Sequence, residues 1–483
     1  MHVFNKLTSY EKLKLPAKAA IWYTFCNILQ KGVAFLVVPV YIRFLTAAEF
    51  GKYAVFNSWV NILVIFATLN LYCGVFTKAM VDYPEDRDRY TSSMQGLSTI
   101  LTSLLFIVYL ILPALWNRTF DMHPKTSIMT FIYFLSFSAF SFWGVRQRVE
   151  YKYKRMVLVT IVLTLLTPAI SLLLLKYTTL KENAVIWGFL TANILVGIIF
   201  YFYQFFAGRC FYHKRYWLNA IKYNIPLIPH YLSLIVLGQS DRIMIKELCG
   251  EAESGIYTLA YQVSIAMNLI TNAVNQAIVP WIYEKLKKRD YLPISDLSLN
   301  LCYFIGGLTV LLMLIAPEII KILGTKEYNL AVWIVPTVAM SGYYTFCYNL
   351  FSTVEFYFSA TKYVMIASVT GSLLNIFLNA VFIPKFGFIT AGYTTMISYF
   401  VLMLMHYCFT SKICSDNNID YELFNSKKLG ISMIFLFLIM LICLWSYNYV
   451  YIRYSIIIAT LFIFAGLRKK IKNAFESLKL KTE

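Results

Sequence analysis

Apolar runs of about twenty residues recur along the whole chain, separated by short polar turns. That length is what roughly 30 Å of hydrocarbon demands of a helix rising about 1.5 Å per residue. About fourteen such runs can be counted, centred near Leu29, Val64, Phe106, Phe134, Leu165, Ile194, Leu234, Met267, Leu308, Met340, Leu373, Ser398, Leu438 and Ile457. The pattern predicts an all-α polytopic membrane protein of about 14 transmembrane helices, since only helices satisfy their own backbone groups segment by segment in lipid. The first run, Ile21 to Leu45, carries Lys31 at its middle. A cation there costs roughly 2.5–3.5 kcal/mol on insertion scales, so Lys31 is expected to face protein or water rather than lipid. Thr24 and Asn27 precede it at helical spacing and complete a polar stripe.

The runs fall into two matching sets. Glu49-x-Gly51-x-Tyr53 recurs as Glu253-x-Gly255-x-Tyr257, Pro113 maps onto Pro317, and Gly188 maps onto Gly392, all at one offset of 204 residues. Runs one to six and seven to twelve therefore read as two copies. Because six is even, both copies insert with the same polarity, as in parallel-repeat transporters. The expected organisation is a first six-helix lobe over 1–208, a second over 209–412, and two extra helices with a basic cytoplasmic tail over 413–483.

Composition agrees with this class: hydrophobic residues make up 59% of the chain, and the spans leave about 34 residues each, loops included, with no room for a soluble domain. Assigning the 43 Lys and Arg to alternating sides puts the large majority on the side of the N-terminus, which predicts cytoplasmic termini. The net charge of +19 then reflects topology and attraction to anionic membrane lipids, and calls for no nucleic-acid partner. The first span is too long for a secretory signal, and its only small-residue motif, Ala17-Lys18-Ala19, precedes the apolar run. Nine cysteines, mostly inside the runs and without metal-like spacing, read as small apolar residues. No cofactor-binding motif is present: hydrolase elbows, P-loops, His-Glu-x-x-His and clustered His ligands are all missing from the sequence.

Other spans carry polar stripes at helical period. Asn61 and Thr68 lie in span two, His230 and Asp241 in span seven, Tyr261, Asn268, Asn272 and Asn275 in span eight, and Ser368, Ser372, Asn375 and Asn379 in span eleven. Such residues either glue helices together or line a wet cavity suited to a hydroxyl-rich ligand. Arg43 and Arg242 lie towards the outer ends of their spans, where snorkelling competes with ligand contact.

Three stretches carry a family resemblance: Arg43-Phe-Leu-Thr-Ala-Ala-Glu49-Phe-Gly51-Lys-Tyr53, Asp241-Arg242 through Glu253-Ser-Gly255-Ile-Tyr257, and Phe386-Gly-Phe-Ile-Thr-Ala391-Gly392-Tyr. In order and spacing they resemble the bacterial polysaccharide transporter family, with the Wzx-type flippases of O-antigen and capsule repeat units, in a superfamily that also holds multidrug exporters. The resemblance implies alternating access in the bacterial inner membrane. It also implies a substrate of oligosaccharide linked through pyrophosphate to undecaprenol, with polysaccharide polymerase machinery as a further partner. A multiply charged pyrophosphate would be met by Lys31, Arg43 or Arg242. Glycan hydroxyls would be met by Asn27, His230, Asn268, Asn272, Asn275 and Asn375.

Two rivals come from the same chemistry. Asp86-Arg87-Asp88 has the acid-x-acid form of a metal-dependent glycosyltransferase, but no nucleotide-binding domain surrounds it, and a polymerase would carry a large external loop. A drug exporter would place acids, not a lysine, deep in its cavity. Asp241, read as the most deeply placed carboxylate, is the candidate for ion coupling, and for a gate pairing with Arg43 at the outer side.

Overall fold

The computed structural model describes residues 15–419 and 421–477, with no strand among the described residues. The helices in the first half are α1 (Leu15–Phe44), α2 (Ala47–Thr68), α3 (Val75–Asp82), α4 (Arg87–Ile111), α5 (Pro113–Phe120), α6 (Pro124–Val149), α7 (Tyr153–Tyr177) and α8 (Glu182–Gly208). There follow α9 (Lys214–Asn224), α10 (Ile228–Leu248), α11 (Glu251–Lys287), α12 (Leu292–Leu314), α13 (Ala316–Leu323), α14 (Val335–Tyr357), α15 (Thr361–Phe386), α16 (Thr390–Asp416), α17 (Ser426–Ser446) and α18 (Val450–Ser477).

A helix stands at each of the fourteen expected positions, but fewer meet the demands of a span. Among the described residues eleven are long and apolar enough to cross a membrane. A twelfth joins them if the bent pair Lys326–Trp333 and α14, angled by 48°, counts as one. Helix α11 falls short because Asn268, Asn272, Asn275 and Gln276 dilute its apolar surface, while in α18 the apolar stretch among the described residues is Val450–Gly466. The protein is thus a multi-pass membrane protein. The extreme ends of the chain, for which the basic residues predict a cytoplasmic position, lie outside the described residues.

Packing divides the chain into two compact units between Leu232 and Ser233, later than the expected boundary at 208, and it groups α17 and α18 with the second unit. The reason is α9. The Tyr216 hydroxyl donates to Asp86 at 2.5 Å, the Trp217 indole donates to the Ser93 carbonyl at 2.9 Å, and Tyr216 packs with Tyr90 in a core that also holds Phe76, Met94 and Phe142.

The repeated motifs have a structural meaning in each unit. Glu49 sits in the first turn of α2, where Thr46 and Glu49 form a reciprocal capping box. Glu253 occupies the first turn of α11, where an acid also favours the helix dipole. Pro113 and Pro317 each open an eight-residue helix directly after a long one, because proline fits the first turn but cannot continue the preceding helix. Gly188 and Gly392 mark close helix crossings. A Cβ at Gly188 would lie 2.6 Å from the Ser171 backbone of α7, and one at Gly392 would lie 2.3 Å from Thr337 Oγ1 of α14. The same repeat position is therefore used against different neighbours in the two units.

Candidate functional site

In the second unit four helices converge on one carboxylate. Asp241 of α10 is fully buried. Tyr257 of α11 donates to its Oδ2 at 2.5 Å, Thr395 of α16 donates to the same oxygen at 2.7 Å, and Asn379 of α15 donates to Oδ1 at 2.7 Å. Around them Asn375 donates to Thr395 at 3.1 Å and accepts from Ser240 at 3.1 Å, while Thr394 donates to Asn379. Helical spacing explains the convergence: Asn375 and Asn379 are one turn apart on α15, and both are completely buried. Among the described residues no lysine or arginine donates to this carboxylate. The charge is held by neutral donors, and the cluster gathers carboxylate, amide and hydroxyl oxygens, the ligand types that suit a proton or a hard cation.

Arg242, the next residue, turns away from Asp241. Its guanidinium donates to the Gly238 carbonyl at 2.7 Å and lies 4.5 Å from the centre of the Tyr261 ring. It is buried, so it neither snorkels nor stands free for a ligand. The gate expected between Asp241 and Arg43 would require Asp241 to give up bonds already made inside its own unit. Arg43 itself is exposed at the end of α1.

The polar face of α1 is more open. Lys31 is half-buried, Asn27 is exposed, and among the described residues Lys31 makes neither ion pair nor hydrogen bond. Thr24 turns its hydroxyl onto the Ala20 carbonyl at 2.9 Å. On α11, Asn272 is exposed, Asn268 and Asn275 are half-buried, and the Asn275 side-chain oxygen is buried without a hydrogen bond. His230 is half-buried near the start of α10. Asn375, expected as a glycan contact, instead belongs wholly to the Asp241 network.

The acid-x-acid segment is committed to structure. Asp86 accepts from Tyr216, Asp88 pairs with Arg146, and Arg87 Nε donates to the Met80 carbonyl at 2.7 Å. Among the described residues no group of three His, Cys, Asp or Glu side chains could hold a metal ion. The cysteines there are free thiols, and Cys302 and Cys347 lie 3.9 Å apart.

A second buried ionisable pair escaped the sequence reading. Glu355 of α14 and His406 of α16 stand 2.9 Å apart, with side chains 0% and 2% exposed. Tyr348 stacks on the imidazole at 5.3 Å, and Thr410 bonds the Phe351 carbonyl at 3.0 Å beside them. Asp241 is therefore not alone in depth, because Glu355 is equally buried. An acid late in span ten and a histidine in span twelve were visible as anomalies; their pairing across 51 positions was not.

The second unit also holds an apolar groove of about 650 Å³ between α12 and the last two helices. Phe304, Phe435, Ile439 and Ile463 form its walls, with Lys428 and Asn300 among its few polar residues.

Residues 17–285 match the family model described as polysaccharide biosynthesis protein, more than half of the chain. The chain belongs to the polysaccharide biosynthesis protein family. A protein of the Lsg locus of Haemophilus influenzae is 23% identical over 413 residues, covering 80% of this chain and 97% of the relative. An uncharacterised membrane protein of the same organism is 25% identical over 391 residues, covering 75% and 91%. Among solved structures, the lipid II flippase MurJ in an inward closed conformation aligns with a TM-score of 0.71 at 18% identity, over 94% of this chain and all of that one. An inward-facing multidrug resistance MATE family transporter of the MOP superfamily aligns with a TM-score of 0.62 at 12% identity, over 84% of this chain and 100% of that one. At such identities the likeness establishes the fold. This family member has the fold of MOP-superfamily transporters and flippases.

Proposed function

We propose that this protein is a flippase that carries undecaprenyl-pyrophosphate-linked oligosaccharide repeat units from the cytoplasmic to the outer leaflet by alternating access, for O-antigen or capsule assembly. The observation that carries this reading is Lys31, an uncompensated cation midway along a 30-residue apolar helix, with exposed Asn27 one turn away. An ammonium at that depth is stabilised by an anionic ligand headgroup, and the family makes a lipid-linked sugar pyrophosphate the fitting one. The groove beside α17 and α18 has the apolar walls and volume to take part of the isoprenoid tail. The protein would act without a cofactor, in the inner membrane, handing its product to the polymerase machinery.

Energy input is assigned to Asp241. Its cluster takes up a proton or sodium ion in one phase of the cycle and releases it in another, since a buried carboxylate without a cationic partner gains most from one. The fold alone also suits an ion-coupled multidrug exporter. Deleting the gene separates the two readings: a flippase mutant accumulates lipid-linked repeat units on the cytoplasmic leaflet, whereas an exporter mutant keeps normal glycans and becomes sensitive to cationic dyes. In vesicles, flipping that ignores both imposed proton and sodium gradients would remove the coupling role of Asp241.

A further inference from the structure

A second pocket, of about 360 Å³, opens in the first unit where the end of α6, the start of α7 and the last turns of α8 meet. Arg146, Lys152 and Arg155 line it, against the single carboxylate of Glu150. Glu150 is engaged by Lys152 at 2.5 Å and by Arg146 at 2.7 Å, and Arg146 also reaches Asp88. Arg155 is exposed and makes no ion pair or hydrogen bond among the described residues. The pocket thus carries an excess of positive charge, and one of its cations is unengaged.

Two further groups in its wall need a donor rather than an anion. Gln147 and Gln204 are 5% and 2% exposed, and the side-chain oxygen of each accepts no hydrogen bond from the protein. The Gln204 Nε2 donates to the Ala139 carbonyl at 2.9 Å and the Phe200 carbonyl at 3.1 Å. Both oxygens are sealed from solvent in this state, and a buried unpaired acceptor costs about 1–3 kcal/mol, so both favour an occupant whose O–H or N–H groups reach them as the side chains turn towards the pocket. At the rim, Leu158, Ile199 and Tyr203 are 65%, 65% and 59% exposed, an apolar surface of the kind that lies against acyl chains. By the orientation that the basic residues predict, this rim lies at the cytoplasmic interface, where anionic lipids concentrate.

We infer that this pocket binds the headgroup of an anionic, hydroxyl-bearing phospholipid, of the phosphatidylglycerol type. The phosphodiester sits against Arg155 and Lys152, the glycerol hydroxyls donate to Gln147 and Gln204, and the chains run along Leu158, Ile199 and Tyr203. Phosphatidylcholine lacks both the net charge and the donors. Phosphatidylethanolamine has donors, but its ammonium meets three cations. The site shares no lining residue with the Lys31 stripe or the Asp241 cluster and does not depend on what is transported.

The test uses the full-length protein, delipidated in neutral detergent, with thermal unfolding midpoints and native mass spectrometry as readouts. Phosphatidylglycerol is titrated against phosphatidylcholine, phosphatidic acid and soluble glycerol 3-phosphate. Phosphatidylglycerol should raise the midpoint and be retained, phosphatidic acid should do so less, and phosphatidylcholine and glycerol 3-phosphate should do neither. Arg155→Gln, at an exposed position, should leave the lipid-free midpoint unchanged and weaken phosphatidylglycerol about tenfold, the worth of one charge-assisted bond. Gln204→Leu should erase the preference for phosphatidylglycerol over phosphatidic acid. Equal binding of phosphatidylglycerol and phosphatidylcholine, or an unchanged affinity in Arg155→Gln, overturns the site. Equal binding of phosphatidylglycerol and phosphatidic acid by the unaltered protein overturns the role of the two glutamines, whether or not Gln204→Leu folds. A full effect of glycerol 3-phosphate overturns the assignment to a lipid.

Discussion

Replacing His406 by leucine would leave the Glu355 carboxyl group without its imidazole partner, since its side chain is 0% exposed and the imidazole lies 2.9 Å away. Removing one member of a buried hydrogen-bonded pair leaves the other desolvated and unsatisfied, at a cost of about 1–3 kcal/mol, more for a charged group. Thr410, whose hydroxyl approaches Glu355 only to 3.5 Å, is too distant to take over. Replacing both residues by leucine removes both polar groups together, and such exchanges are often neutral within ~1–2 kcal/mol. The expected signature is therefore non-additive: two damaging single substitutions and a mild double. Equilibrium unfolding in mixed micelles of the four proteins, His406→Leu, Glu355→Leu, the double variant and the parent, closes a double-mutant cycle. A coupling of about 2 kcal/mol or more is expected. Coupling below about 0.5 kcal/mol would refute the reasoning, showing that the two groups are solvated or independently satisfied.

Further outcomes follow from other sites. Lys31→Ala should abolish flipping while the protein remains in the membrane, and Lys31→Arg should keep appreciable activity; wild-type flipping by Lys31→Ala would make the lysine structural. At Gly188 a valine would press its Cβ to within 2.6 Å of the Ser171 backbone, so Gly188→Val should lose about 1–3 kcal/mol, while Gly342→Ala, where the added methyl meets nothing within 4 Å, should not destabilise. Burial alone would raise the Glu150 carboxyl, but hydrogen bonds from Lys152 and Arg146 hold it below the usual carboxylate range. Its contribution is then complete above the ordinary carboxylate range and is lost as pH falls through its own lowered value, so acid unfolding should become less steep in that window in Glu150→Gln, read by unfolding midpoints against pH.

Helices, their order and their duplication were legible because each is a local property: length, period and punctuation by Pro113, Pro317 and the Glu49 and Glu253 motifs lie in consecutive residues. The depth of Lys31 was legible for the same reason. Partnership was not. Whether Asn375 faces a cavity or Asp241 depends on how α15 is rotated against α10 and α16, and helical period identifies a face without saying what covers it. Arg242 was read as a candidate contact for the pyrophosphate, with snorkelling as the competing reading, yet the ring of Tyr261 receives it within the protein. The first compact unit takes in α9 for a similar reason, since the aromatic residues of α9 find their neighbours on α3 and α4, far back in the chain.

That no cationic side chain among the described residues donates to Asp241 has an electrical consequence. A carboxylate held by a tyrosine, a threonine and an asparagine changes the local charge by a whole unit when a cation arrives, with no lysine or arginine moving off to balance it. An ion reaching that point has crossed part of the bilayer's field. Each elementary charge carried across the full membrane exchanges about 2.3 kcal/mol per 100 mV. Under the coupling proposed for Asp241, voltage alone, with no difference in ion concentration, would therefore drive or hold back the cycle in proportion to the depth of this one side chain.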